Sequence, residues 1–172
     1  KQGRIAADNI CGGNSHFTGS QGSSVLKLFG LTAASTGINE KAAQAAGITY
    51  DKVVLFPASH AAYYPGARSM TMKVLYEKES LRLLGAQIVG GDGVDKRIDV
   101  LATAIRAGMT ALELTELDLA YAPPYSSAKD PVNMAGFMIE DLESGKVRQF
   151  HWDEVDDLPR DGSAALLDGR EE

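Results

Sequence analysis

Apolar positions along the chain change period several times, and each change predicts an element. Met70, Met72, Val74 and Tyr76 alternate with Thr71, Lys73 and Leu75, the two-residue period of a half-buried strand. Residues 77–80 predict a turn, and the apolar stretch 83–89 predicts a strand returning beside the first, so the two read as a hairpin. Val53, Val54, Leu55 and Phe56 predict a buried strand within 48–58. The apolar, β-rich stretch 25–36 predicts one further strand after a short entry. The period then lengthens to that of a helix at Ile98, Leu101, Ala102 and Ile105, and again at Ala135, Met138, Ile139 and Leu142.

Caps and stops bound these elements. Residues 3–11 read as the end of a helix with Ile5, Ala6 and Ile10 on one side and Gly12-Gly13 as its stop. The polar, glycine-rich stretch 14–24 predicts a loop. Asn39 caps a short helix through Ala46, closed by Gly47. Gly90-Gly91-Asp92-Gly93 ends a strand and leads into a helix that Gly108 stops. Thr110 and Glu113 have the spacing of a capping box, and Asp130-Pro131 that of a cap followed by a first turn, with Gly145 ending that helix. Strands come first and helices later, which predicts an α+β fold with an antiparallel sheet.

Composition narrows the class. The 172 residues suffice for one ordinary domain, and 44% apolar residues place the chain among globular proteins. The net charge of −6 and the absence of a basic stripe argue against nucleic acid as partner, and no apolar run approaches the ~20 residues that span a bilayer. A single cysteine, Cys11, rules out an intrachain disulfide and fits a reducing, cytoplasmic setting. Starting at Lys1 without a signal-peptide pattern, the chain reads as a piece of something larger.

Most chemical candidates reduce to packing. The 90–93 glycines lack the lysine and hydroxyl of a phosphate loop and the spacing of a dinucleotide fingerprint, and read as a strand-to-helix turn. Gly19-Ser20-Gln21-Gly22 reads as a turn as well. His16, His60 and His151 show no metal-ligand spacing, so no metal is expected. No nucleophile elbow supports a hydrolase. Cys11 has no basic neighbour to activate it and reads as a small buried core residue. Two segments resist this treatment. One is the aromatic pair Tyr63-Tyr64 before Pro65-Gly66. The other is the loop 121–131, where Pro123-Pro124 predicts a stiff extended strut beside Tyr121, and Lys129 precedes a helix N-terminus suited to an anion. On chemistry alone an ordinary surface loop explains it equally well.

Five stretches carry a resemblance: Gly3-Arg4-Ile5-Ala6-Ala7-Asp8-Asn9-Ile10, Ala34-Ser35-Thr36-Gly37, residues 60–67, Asp95-Lys96-Arg97-Ile98-Asp99-Val100-Leu101, and residues 121–131. Spread in order over about residues 1–150, they resemble the C-terminal part of coenzyme A-disulfide reductases. These belong to the pyridine nucleotide-disulfide oxidoreductase family, which also holds NADH oxidases and peroxidases. The resemblance implies a dimerisation domain with a mixed, mainly antiparallel sheet and helices packed on it. It divides the chain into residues 1–12, the last helix of a flavin-binding domain; 13–150, the dimerisation domain; and 151–172, a linker. The linker stretches 151–155 and 166–172 resemble the entry to a rhodanese-like domain.

In that family this domain forms a homodimer and reaches into the partner's active site. The resemblance therefore implies that Tyr63 and Tyr121 are catalytic and approach the redox cysteine, with Tyr64 as the alternative to Tyr63. It also implies that Tyr121 contacts the flavin and that Lys129, with Tyr63, contacts coenzyme A. The His-Glu pair of the glutathione-reductase branch is absent from the sequence. FAD and NAD(P)H are implied for the full-length parent, with neither expected on this chain alone. Its substrate would be a coenzyme A disulfide or persulfide. The alternatives are an association module without a catalytic role, and the same domain of an NADH oxidase or peroxidase.

Overall fold

A computed structural model describes residues 1–165 and 167. The chain forms two compact units, Lys1–Glu140 and Asp141–Glu172. In the first, the alternating pattern does what it predicts: Met70, Met72, Val74 and Tyr76 of strand β4 (Met70–Glu77) are all buried. Strand β5 (Leu83–Gly90) pairs back against it, and β3 (Tyr50–Leu55) pairs on its other side. Only Val53 and Leu55 of β3 are buried and Phe56 just after it is exposed, because β3 is an edge strand with one face on the core rather than a fully buried one.

The stretch expected as one strand is a hairpin. Strand β1 (Ser24–Leu28) turns back through Phe29-Gly30 into β2 (Leu31–Gly37). Phe29 has a positive φ of 52°, and no polar residue marks the reversal. The sheet order is β1-β2-β5-β4-β3, with every neighbouring pair antiparallel. Between β2 and β5 two glycines meet: a Cβ on Gly37 would strike the Leu84 carbonyl, and one on Gly85 the Ile38 carbonyl. That close approach accompanies the irregularity at Leu75/Tyr76, where the β4–β5 register shifts.

Helix α1 (Gln2–Ile10) and helix α2 (Glu40–Ala45) follow the sequence reading; the Asn39 side chain accepts the Ala42 N–H at 2.9 Å as the cap of α2. Cys11, however, is exposed, not buried, because α1 buries none of its residues against the rest of the chain. Helix α3 (Val94–Ala107) packs on β2 and β5 through Val94, Arg97, Ile98, Leu101 and Ala104. Its inward face is thus rotated from the expected one, with Ala102 and Ile105 only half-buried. Thr110 and Glu113 make their reciprocal bonds at the start of a 3-10 turn, Leu112–Glu116. Helix α4 (Pro131–Glu143) begins at Asp130, whose carboxylate accepts the Val132 N–H at 3.0 Å. Among the described residues no helix is long and apolar enough to cross a membrane.

The second unit contains a 3-10 turn, Trp152–Asp157, where Glu154 accepts the His151 N–H at 2.6 Å. The expected rhodanese-like entry falls partly on residues 166 and 168–172, outside the described residues.

Candidate functional site

Two loops build the site. The first leaves β3 and is pinched at its base: the Ser59 N–H donates to the Arg68 carbonyl at 2.8 Å and the Met70 N–H to the Pro57 carbonyl at 2.9 Å. Its tip carries Tyr63 and Tyr64. His60 is buried, with Nδ1 3.1 Å from the Ala61 carbonyl and its ring edge-on to Tyr64 at 5.8 Å. The second loop joins the 3-10 turn to α4. Here Pro123-Pro124 does not form the expected extended strut. The Tyr125 and Ser126 N–H groups both donate to the Ala122 carbonyl, at 2.9 and 3.1 Å, closing a tight turn. The proline rings fix φ but leave ψ free, and ψ separates a turn from a strut.

The loops meet twice. The Ala61 N–H donates to the Ser126 carbonyl at 3.0 Å. At the surface the hydroxyls of Tyr63 and Tyr121 lie 3.1 Å apart, either able to donate. Tyr63 is 77% exposed and Tyr121 48%. The hydrogen bond to Tyr63, with smaller contributions from burial and from Tyr63's charge, raises the Tyr121 pKa above the ordinary tyrosine value. A tyrosine so placed keeps its proton at neutral pH and can serve as a hydrogen-bond donor or an acid, not as a base. Tyr64 turns instead to His60, so of the two adjacent tyrosines it is Tyr63 that meets Tyr121. Lys129 is exposed and outside the pair; its ammonium lies 5.3 Å above the Phe137 ring.

Beneath the tyrosines lies a charged group that sequence reasoning missed. Arg97 and Asp130 are 1% and 3% exposed and paired at 3.0 Å. Burial pushes the Asp130 carboxyl up, but bonds from Ser126 and the Val132 N–H, with the Arg97 charge, outweigh it and hold the pKa below the ordinary range. Lys96 adds a second cation 3.7 Å from Asp130. The available signal was Arg97's place at i, i+4, i+7 with Leu101 and Ala104 on the packed face of α3.

A dinucleotide has no cradle at the glycines 90–93. A Cβ on Gly90 would meet the Met70 Cβ at 2.6 Å and one on Gly91 the Arg68 side chain at 2.5 Å, while Arg97 Nη1 donates to the Gly93 carbonyl at 3.1 Å. Gly90 is buried, Gly91 and Gly93 are half-buried and Asp92 is exposed. A cavity of about 940 Å3 between residues 17–23 and α3 shares no lining residue with the tyrosine pair. Among the described residues no group of three or more His, Cys, Asp or Glu could hold a metal ion.

The sequence model of the pyridine nucleotide-disulphide oxidoreductase dimerisation domain matches residues 24–132. The chain belongs to this family. The match takes in the sheet, α3, both tyrosines and Lys129. Among curated relatives, the coenzyme A disulfide reductase of Staphylococcus epidermidis is 42% identical over 134 residues, covering 77% of this chain and 30% of that protein. The reduced Bacillus anthracis CoADR-RHD superimposes with a TM-score of 0.86 at 49% identity, over 91% of this chain and 28% of that one. An NAD-dependent persulfide reductase from A. fulgidus superimposes with a TM-score of 0.85 at 45% identity, over 90% of this chain and 29% of that one. The chain therefore spans about 30% of the length of the curated relatives it matches. Its α+β fold with an antiparallel sheet is that of their dimerisation domains.

Proposed function

We propose that this chain is the dimer-forming, active-site-completing segment of an FAD-dependent, NAD(P)H-linked coenzyme A-disulfide or persulfide reductase. The observation that carries the reading is the Tyr63–Tyr121 hydroxyl pair on two interlocked loops. The likeness to coenzyme A disulfide and persulfide reductases supports the substrate class. Residues 1–12 would be the last helix of a flavin-binding domain, 13–150 the dimerisation domain, and 151–172 a linker toward a rhodanese-like domain. That α1 buries nothing within this chain fits the first assignment.

In the full-length parent, bound flavin and NAD(P)H would supply the electron pair that cleaves a disulfide. What its residues contribute is the handling of the thiolate. Cleavage of a mixed disulfide leaves one sulfur negatively charged, and a tyrosine hydroxyl stabilises it by donating a hydrogen bond. A bond to a charged acceptor contributes roughly 1.5–3 kcal/mol. That lowers a thiol pKa by about one to two units. Tyr121 would also lie against the flavin edge, and Lys129, with Tyr63, would hold an anionic part of coenzyme A.

The test replaces both tyrosines by phenylalanine in the complete reductase. The expected result is a loss of about 10- to 100-fold in disulfide reduction, the kinetic equivalent of one such hydrogen bond. An unchanged rate overturns the reading.

Association in pairs has its own support. Val25, Leu26, Leu28, Phe29 and Leu31 of the β1–β2 hairpin are exposed on both faces of the ribbon. Such a patch marks an interaction surface, and a second copy of the chain is the occupant that the dimerisation-domain match favours.

A further inference from the structure

We propose that Arg97 is a positioning residue: its buried guanidinium, locked to Asp130, holds the two loops in the register that brings the Tyr63 and Tyr121 hydroxyls together. The functional meaning of that register rests on the reading above; the geometry does not.

The two tyrosines cannot hold each other. Tyr63 is 77% exposed and Tyr121 48%, and one neutral hydrogen bond between exposed groups contributes little. Ordering two exposed side chains costs a comparable amount in rotamer freedom. A meeting at 3.1 Å therefore needs backbones fixed from below.

Arg97 does that fixing through three segments at once. From α3 its Nη1 donates to the Gly93 carbonyl at 3.1 Å. Its Nε and Nη2 reach the Asp130 carboxylate at 3.2 and 3.0 Å. Nη2 also approaches the Tyr125 carbonyl and Ser126 Oγ, each at 3.4 Å. Asp130 accepts from Ser126 Oγ at 2.7 Å. The residues so held, Tyr125 and Ser126, close the turn on Ala122, the neighbour of Tyr121. Ser126 continues the path, because its carbonyl accepts the Ala61 N–H, two residues before Tyr63. One guanidinium thus braces the second loop directly and reaches the first through the Ser126–Ala61 bond.

The ion pair's energetics point the same way. Burying two charges carries a large desolvation penalty, and an apolar pair of similar volume is often no less stable. Stability alone is a weak reason for Arg97 at 1% exposure. A planar fork with five donors is what a multi-segment brace requires, and a lysine's point charge cannot reproduce it.

The experiment uses the full chain with 13C-labelled tyrosine rings, followed by NMR. Arg97→Lys keeps a cation beside Asp130 but loses the fork. The expected result is a native signal from buried Tyr76 together with loss of the Tyr63–Tyr121 ring cross-peak. In the same variant the Tyr121 titration returns toward the ordinary tyrosine value. The double variant Arg97→Met/Asp130→Leu leaves neither charge of the pair without its partner and serves where Arg97→Lys does not fold, and the same loss is expected. A folded variant with an undiminished cross-peak overturns the proposal. So does failure of both variants to fold, which assigns the pair to stability alone. The readout is separate from turnover: an unchanged reduction rate in the tyrosine double variant removes the catalytic reading and leaves this one standing.

Discussion

Glu40, the first residue of α2, reaches two lysines of the sheet, Lys52 at 2.6 Å and Lys73 at 2.8 Å. Burial pushes its carboxyl up, but the hydrogen bonds and charges of Lys52 and Lys73 win and lower the pKa from 4.5 to about 2. A depressed carboxyl contributes stability above its unfolded value and loses it as pH falls through the folded one. The contribution is thus complete above 4.5 and disappears between 4.5 and about 2. Glu40→Gln is expected to lower the urea midpoint at neutral pH and to flatten its fall over that acid window. An identical pH profile in wild type and variant would show that the cluster contributes nothing.

At the scale of elements, Asn133 ties α4 to the 3-10 turn. Its side-chain amide donates to the Leu114 and Leu117 carbonyls at 2.9 and 3.0 Å from a buried position. Asn133→Leu leaves both carbonyls without that donor, and a cost of about 1–3 kcal/mol in urea denaturation is expected. Elements differ in how plainly the sequence announces them. The β4–β5 hairpin is legible because the alternation holds from Met70 to Val74, before the shift at Leu75/Tyr76, and its turn is polar. The β1–β2 hairpin is not, because Phe29-Gly30 reverses the chain within an unbroken apolar stretch. Asn39 and Asp130 are legible as caps because a cap is a local bond between near neighbours. The face of α3 is misjudged because an arginine on a helix reads as facing solvent until its partner, 33 residues on, is known. The two tyrosine-bearing loops draw notice through their aromatic and proline residues, but the pairing of Tyr63 with Tyr121 is not legible, since a contact across 58 residues leaves no spacing to read.

Over the whole molecule the sheet consists of two locally built pieces, the β1–β2 hairpin and the β3–β4–β5 meander, joined along the single seam between β2 and β5. The hairpin lies at the outer edge, and its apolar residues are exposed on both faces of the ribbon. Phe29 at the tip is 93% exposed. The proposed pairing through this hairpin predicts that the double variant Leu28→Asp/Phe29→Asp reduces the mass of the chain in light scattering from that of a dimer to that of a monomer, with an unchanged circular dichroism spectrum. A dimer that survives both charges would place the interface elsewhere.

The tyrosine pair also imposes an arithmetic of hydrogens. Two hydroxyls 3.1 Å apart hold two protons, and one of these lies between the oxygens. Only one O–H is left to point outward, polarised by its neighbour. The pair is therefore a one-proton device built from two residues, and either ring can present the outward hydrogen. A single Tyr→Phe change leaves that hydrogen available and removes only the polarisation. The outward donor disappears only when both hydroxyls do.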